Sequence, residues 1–165
     1  MNMKKTIKVT LVMSLFFLAL GGLLLHLRIH PPAKHYTNII NLISGIVSAF
    51  LLPVIFLPRR TVALAYIVNG FLAIIGTITM AHFSMSHFQG AITVTGVLLN
   101  TTLADIAILW GKFAVGKAIF DLEFLRSDSD VIHGGRFFRY PNMGWWWAHL
   151  FSLSAVYALG NILWK

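Results

Sequence analysis

Apolar residues in this chain gather into long uncharged runs separated by short polar or basic breaks. From Val9 to Leu27, nineteen consecutive residues lack Asp, Glu, Lys and Arg, and a second uncharged stretch runs from His35 to Pro58. Forty-four uncharged residues then separate Arg60 from Asp105. About twenty apolar residues in helical form cross a hydrocarbon core of roughly 30 Å, so that third stretch suffices for two crossings. Its one polar break is MAHFSMSHFQG, from Met80 to Gly90, which predicts a tight turn there. Pro31 and Pro32 end the first helix, because proline lacks an amide donor and disfavours helical geometry in the residue before it. Pro58-Arg59-Arg60 ends the second.

The pattern predicts an all-α integral membrane protein in a single domain over residues 1–165. Its expected form is a bundle of five transmembrane helices at about residues 8–29, 38–57, 61–83, 91–117 and 145–164, with a cytoplasmic loop at about 118–143. The loop holds four of the five acids, and Phe120, Leu122, Phe124 and Leu125 interleaved with Asp121, Glu123 and Arg126 predict a partly helical surface segment. Tyr140 and Trp145-Trp146-Trp147 then mark an interface, where amphipathic rings settle at headgroup depth. The first run also fits the basic and apolar regions of a signal peptide, with Ala19-Leu20-Gly21 as a cleavage site, which would leave four spans. Its continuation through Leu23, Leu24 and Leu25 exceeds a signal core of about 7–15 residues and favours an anchor.

Composition strengthens the membrane reading. The chain is 58% hydrophobic and 11% charged, with a mean hydropathy of +0.78. A soluble domain carries about 25% charged residues. Of thirteen Lys and Arg, ten fall on one side of the threading (Lys4, Lys5, Lys8, Arg59, Arg60, Lys112, Lys117, Arg126, Arg136 and Arg139) and three on the other (Arg28, Lys34 and Lys165). Basic residues are retained on the cytoplasmic side, so the split predicts a cytoplasmic N-terminus and a periplasmic C-terminus in a bacterial inner membrane. A net charge of +8 otherwise suggests nucleic acid, but these cations sit at the ends of apolar spans rather than on one folded face. The expected partners are the lipid bilayer and other membrane chains or further copies of this one. With no cysteine, the chain has no disulfide and no thiolate metal site.

Small residues at helical spacing predict packing seams. Gly96, Asn100, Ala104, Ala107, Gly111 and Ala114 form one on the fourth span. Asn41, Gly45 and Ser48 on the second, and Gly144, Ala148, Ser152 and Ala155 on the fifth, form its counterparts. The third carries the most polar stripe: Tyr66, Asn69, Ala73, Thr77, Met80, Ser84 and His87.

Asp105 is the one acid expected within a span, seven residues before Lys112. A carboxylate in the membrane is costly unless partnered, protonated or wetted, which makes it a functional candidate by default. Tyr66, Asn69, His149 and Ser152 are expected at the same depth, as one polar cluster in the cytoplasmic half. Pro53 also frees the carbonyl of Ala49. A second constellation is the outer-side histidines. His26, His30, His82 and His87 are candidate metal ligands, with His26 and His82 the pair for a haem or quinol site and His35 nearby. Imidazole suits copper and haem iron, and interleaved Met80 and Met85 suit Cu(I). Haem b or copper is the cofactor class this permits, though the absence of any cofactor is the leading expectation. Asp128, Asp130 and His133, before Gly134-Gly135-Arg136, have the elements of a divalent-cation or phosphate site.

Three functions fit these residues. The leading one is a non-catalytic accessory or packing subunit of a membrane assembly. The others are a redox or metal-handling subunit that binds haem, copper or quinol, and a small proton- or ion-coupled carrier centred on Asp105. A nucleophile elbow, a Walker loop and a zincin helix are all missing, so an enzyme is the weaker expectation.

Overall fold

The computed structural model describes residues 3–29, 39–87, 93–124 and 143–163. Apart from Leu57, Pro58 and Thr93, every described residue is helical. Helix α1 is Met3–Ile29. Helix α2 comprises Ile39–Ile46, a π turn at Val47–Leu51 and Leu52–Phe56. A 3-10 turn at Arg59–Thr61 leads into α3, Val62–His87. Helix α4 comprises Val94–Val97, a second π turn at Leu98–Thr102 and Leu103–Phe124. Helix α5 is Met143–Leu163.

Among the described residues, three segments are long and apolar enough to cross a bilayer: Met3–Arg28, Ile39–Phe56 and Arg59–Ser86. The protein has the character of a membrane protein in its surface as well. Phe17, Leu24, Ile40, Phe50, Val54, Leu64, Leu99 and Phe151 are exposed, while Asn69 and Thr77 are fully buried. That distribution suits a hydrocarbon solvent, in which outward apolar side chains cost nothing and polar groups need internal partners.

The turns follow from local chemistry. Proline at 53 has no amide to donate, and just before it the ladder widens, so that Leu52 N–H reaches the carbonyl of Val47. The α2–α3 corner is closed by the Thr61 hydroxyl, which donates to Ile55 O at 2.7 Å and Pro58 O at 3.0 Å. Thr93 caps α4 by accepting from the Gly96 amide at 3.1 Å.

Helix α3 is central, packing along α5 and α4, while α1 lies along α4 and α2. The start of α1, the end of α4 and the α2–α3 corner meet at one end of the bundle, the basal end. Its core is aromatic: Trp146, Phe56 and Phe113 are fully buried, with Leu15, Leu52 and Ile119 among them. Tyr66 packs between Phe120, Phe113 and Trp146 at ring separations of 4.9, 5.8 and 6.3 Å.

Helix α4 runs past the expected end at residue 117 to Phe124, because Ile119, Phe120 and Phe124 join this core rather than lying on a surface. The stripe on α5 departs from expectation too. Gly144, Ala148 and Ser152 are exposed, and the buried face is Trp146, Leu150, Ser154, Tyr157 and Asn161. The small residue at that contact sits on the other helix. A Cβ at Gly70 of α3 would lie 2.5 Å from Cζ3 of Trp146, so the indole occupies a notch that only glycine leaves open. On α4, Ala107 and Ala114 are exposed, whereas Gly116 is buried against Asn69 and Phe56.

Candidate functional site

Four helices line a partly open cavity of about 80 Å³. Helix α1 gives it His26, α2 gives Asn41, Ser44 and Ser48, α3 gives Thr79, and α4 gives Asp105 and Lys112. The remaining wall includes Gly22, Gly45, Gly76, Leu23, Ile108 and Leu109. These glycines are where the helices come closest: a Cβ at Gly45 would lie 2.9 Å from Leu23, and one at Gly76 2.7 Å from Leu109.

Two ionisable side chains of opposite charge therefore face one interior space. Seven residues on one helix are two turns, so Asp105 and Lys112 share a face about 10 Å apart along the axis. Both are buried, at 6% and 4% exposure. Tyr157 of α5 donates its phenolic hydrogen to Oδ2 of Asp105 at 2.7 Å. Asn161, one turn further on α5, donates to the Tyr157 carbonyl at 3.0 Å and to the Ser84 hydroxyl at 2.6 Å, which ties the Asp105 partner to α3. The Lys112 ammonium donates to the Ser48 hydroxyl, and the Lys112 carbonyl accepts from Asn69 Nδ2 at 3.0 Å. Thr79 donates to Oδ1 of Asn41, and Ser44 donates to the Asn41 carbonyl at 2.9 Å.

Both π turns adjoin this constellation. Ser48 lies within the first, and the second ends at Thr102, three residues before Asp105. A π turn rotates the following residues relative to an unbroken α-helix and is found mostly where a side chain must be re-aimed.

A separate charged cluster closes the basal end. Glu123 meets Lys8 at 2.8 Å, Lys4 at 3.1 Å and Arg59 at 3.9 Å, so the end of α4 holds the start of α1 and the α2–α3 corner. Burial opposes ionisation of Glu123, but the hydrogen bonds and charges of Lys8 and Lys4 outweigh it and hold the carboxyl below the usual glutamate range. Lys117 pairs with Asp121 one turn apart.

The residues anticipated around Asp105 are distributed differently. Tyr66 lies in the basal aromatic core, and Asn69 bonds the backbone at Lys112. His149 is exposed, with its ring 4.0 Å from that of Trp145 and Nδ1 2.8 Å from the Trp145 carbonyl. Ser152 is exposed and donates to the Ala148 carbonyl at 2.7 Å. The reason is register. Asp105 is nineteen residues before the end of α4, about 28 Å, so it belongs to the half of the bundle away from the basal end.

Among the histidines, His26 is buried on the cavity wall and His82 is exposed. His87 is the last residue of α3, with its side chain outside the described residues, as are His30, His35 and the Asp128–Asp130–His133 segment. Among the described residues no group of three or more His, Asp or Glu is arranged to hold a metal ion.

Sequence reasoning passed over Lys112, which reads as a helix end, and Tyr157, which reads as ordinary packing. The signal available for both was spacing: Lys112 at seven from Asp105 on one face, and Tyr157 and Asn161 one turn apart on α5. Comparison with family models, curated proteins and solved structures gives no match for this chain.

Proposed function

We propose that this protein is a small carrier in a bacterial inner membrane that couples a solute to the movement of a proton or ion, with Asp105 as the coupling group. On this reading the chain threads the bilayer five times, with its N-terminus in the cytoplasm and its C-terminus in the periplasm. The observation that supports it is the burial of an acid and a base on the wall of one otherwise largely apolar cavity among four helices. Ionisable groups inside a membrane bundle are expensive, and they characteristically mark substrate, ion or proton pathways. About 80 Å³ holds a few waters at roughly 30 Å³ each, enough for a hydrated relay or a small ion. Reconstitution into liposomes containing a pH-sensitive dye tests the reading. With small ions supplied in turn as candidate solutes, solute-dependent proton entry above that of empty vesicles supports it, and vesicles as tight as the controls with every solute contradict it.

A second reading, the accessory or packing subunit, is favoured by the way the same polar groups are engaged. Tyr157 to Asp105, Asn161 to Ser84 and Trp110 to Ser154 at 2.9 Å each join helices far apart in sequence, as polar residues do when they fix the packing of a bundle. Under that reading Asp105→Asn disrupts association with partner chains or with further copies, and flux is absent from the wild type as well.

A further inference from the structure

We propose that Lys112 and the cavity beside it form a binding site for a small monovalent anion. The inference rests on the carrier reading and names the class of solute.

Three facts about Lys112 converge. An ammonium has three N–H donors, and the Ser48 hydroxyl takes one. A hydroxyl supplies a dipole but no opposite charge, so the protonated form of Lys112 has no counter-ion within ion-pair distance among the described residues, and an anion that enters beside it supplies one. Among the described residues, every ion pair lies toward the basal end, formed by Glu123 with Lys4, Lys8 and Arg59 and by Lys117 with Asp121; none includes Lys112. Asp105 shares the cavity, but it stands two turns away and already accepts from Tyr157.

The space beside Lys112 sets the size and charge of what fits. About 80 Å³ takes a halide, nitrate or a short carboxylate with a water or two, and falls well below the roughly 300 Å³ of a site for a larger organic molecule. A single protonated lysine balances a single negative charge. The Ser44 hydroxyl on the wall is already spent on the Asn41 carbonyl. The rest of the wall is glycine and aliphatic, with few donors to replace a hydration shell. Weakly hydrated anions such as nitrate and iodide are therefore favoured over fluoride or sulfate.

The test is a titration of the purified full chain in detergent with sodium nitrate, exchanged against gluconate at constant ionic strength and followed by calorimetry and thermal melting. Wild type is expected to bind saturably, with fluoride and sulfate at least tenfold weaker. Lys112→Met is expected to lose that binding. Lys117→Met, which removes a lysine of the same helix outside the cavity, is expected to keep it. Should Lys112→Met not fold, Ser48→Ala serves instead, with affinity reduced several-fold. Absence of saturable binding by the wild type, or equal binding by Lys112→Met, overturns the proposal. The carrier reading is separable, because Asp105→Asn is expected to bind nitrate while losing coupled proton flux. Asp105-dependent flux without nitrate binding overturns the anion site and leaves the carrier standing. Nitrate binding that depends on Lys112, without flux, upholds the site and removes the carrier.

Discussion

Tyr157 and Asp105 are joined by a 2.7 Å hydrogen bond across 52 residues of sequence, and this bond links α5 to the charged cavity. Hydrogen bonds to charged groups contribute about 1.5–3 kcal/mol, more than neutral ones. Tyr157→Phe keeps the ring and removes the donor, so it is expected to destabilise the detergent-solubilised protein by about that amount. In a double-mutant cycle with Asp105→Ala, which removes the acceptor, the two effects should be non-additive by roughly 1 kcal/mol or more. Additive effects would show that the contact contributes nothing.

Gly70 admits the Trp146 indole. A Cβ there meets three ring atoms at 2.5–2.7 Å, and the neighbour is a rigid ring at the centre of the basal core. Overpacking of this kind costs about 1–3 kcal/mol. Gly70→Ala should lower the melting temperature clearly, whereas Gly21→Ala, with nothing within 4 Å of its added Cβ, should leave it unchanged or slightly raised. Equal responses from the two variants would refute the assigned α3–α5 contact.

Glu123 makes stability depend on pH in a definite direction. Its carboxyl is held below the ordinary glutamate value of about 4.3, so the unfolded chain takes up a proton first as the pH falls. The stabilisation is complete above that value and is lost as pH drops through the lower folded-state value. Wild type should therefore exceed Glu123→Gln by about 1–3 kcal/mol at pH 7, between the values for exposed and buried ion pairs, with the gap closing below about pH 4. A gap that widens in acid would contradict the ion cluster.

Threading is open to chemical labelling. Cysteines introduced at Lys34 and Gln89 should react with an impermeant maleimide from the periplasmic side of intact cells, and one at Ser129 should react only after lysis. The reverse pattern would invert the orientation assigned from the Lys and Arg asymmetry.

The helical class and the membrane character were legible in the sequence because both depend on long-range composition, which survives errors in any one boundary. The polar stripe of α3 was legible for a related reason: Tyr66, Asn69, Ala73, Thr77 and Ser84 repeat at helical spacing, and all are buried. The charged cavity was only half legible. Asp105 stands out as an isolated acid, but its depth was counted from Lys112, and a lysine after an apolar run reads as the membrane boundary. In the folded chain Lys112 is interior, and charge gathers instead at the basal end, where Glu123 meets Lys4, Lys8 and Arg59 in a cluster assembled from three separate segments. The Trp145-Trp146-Trp147 run misled in a similar way. Tryptophan is equally at home at headgroups and in a core, and what decides for Trp146 is Gly70, 76 residues earlier on another helix.

The most direct test of the coupling role of Asp105 is nitrate-dependent proton flux in liposomes reconstituted with wild type or Asp105→Asn at matched protein content. The variant should keep the wild-type elution profile and helical content while its flux falls at least tenfold, toward that of empty vesicles. Wild-type flux in a folded Asp105→Asn protein would contradict the account.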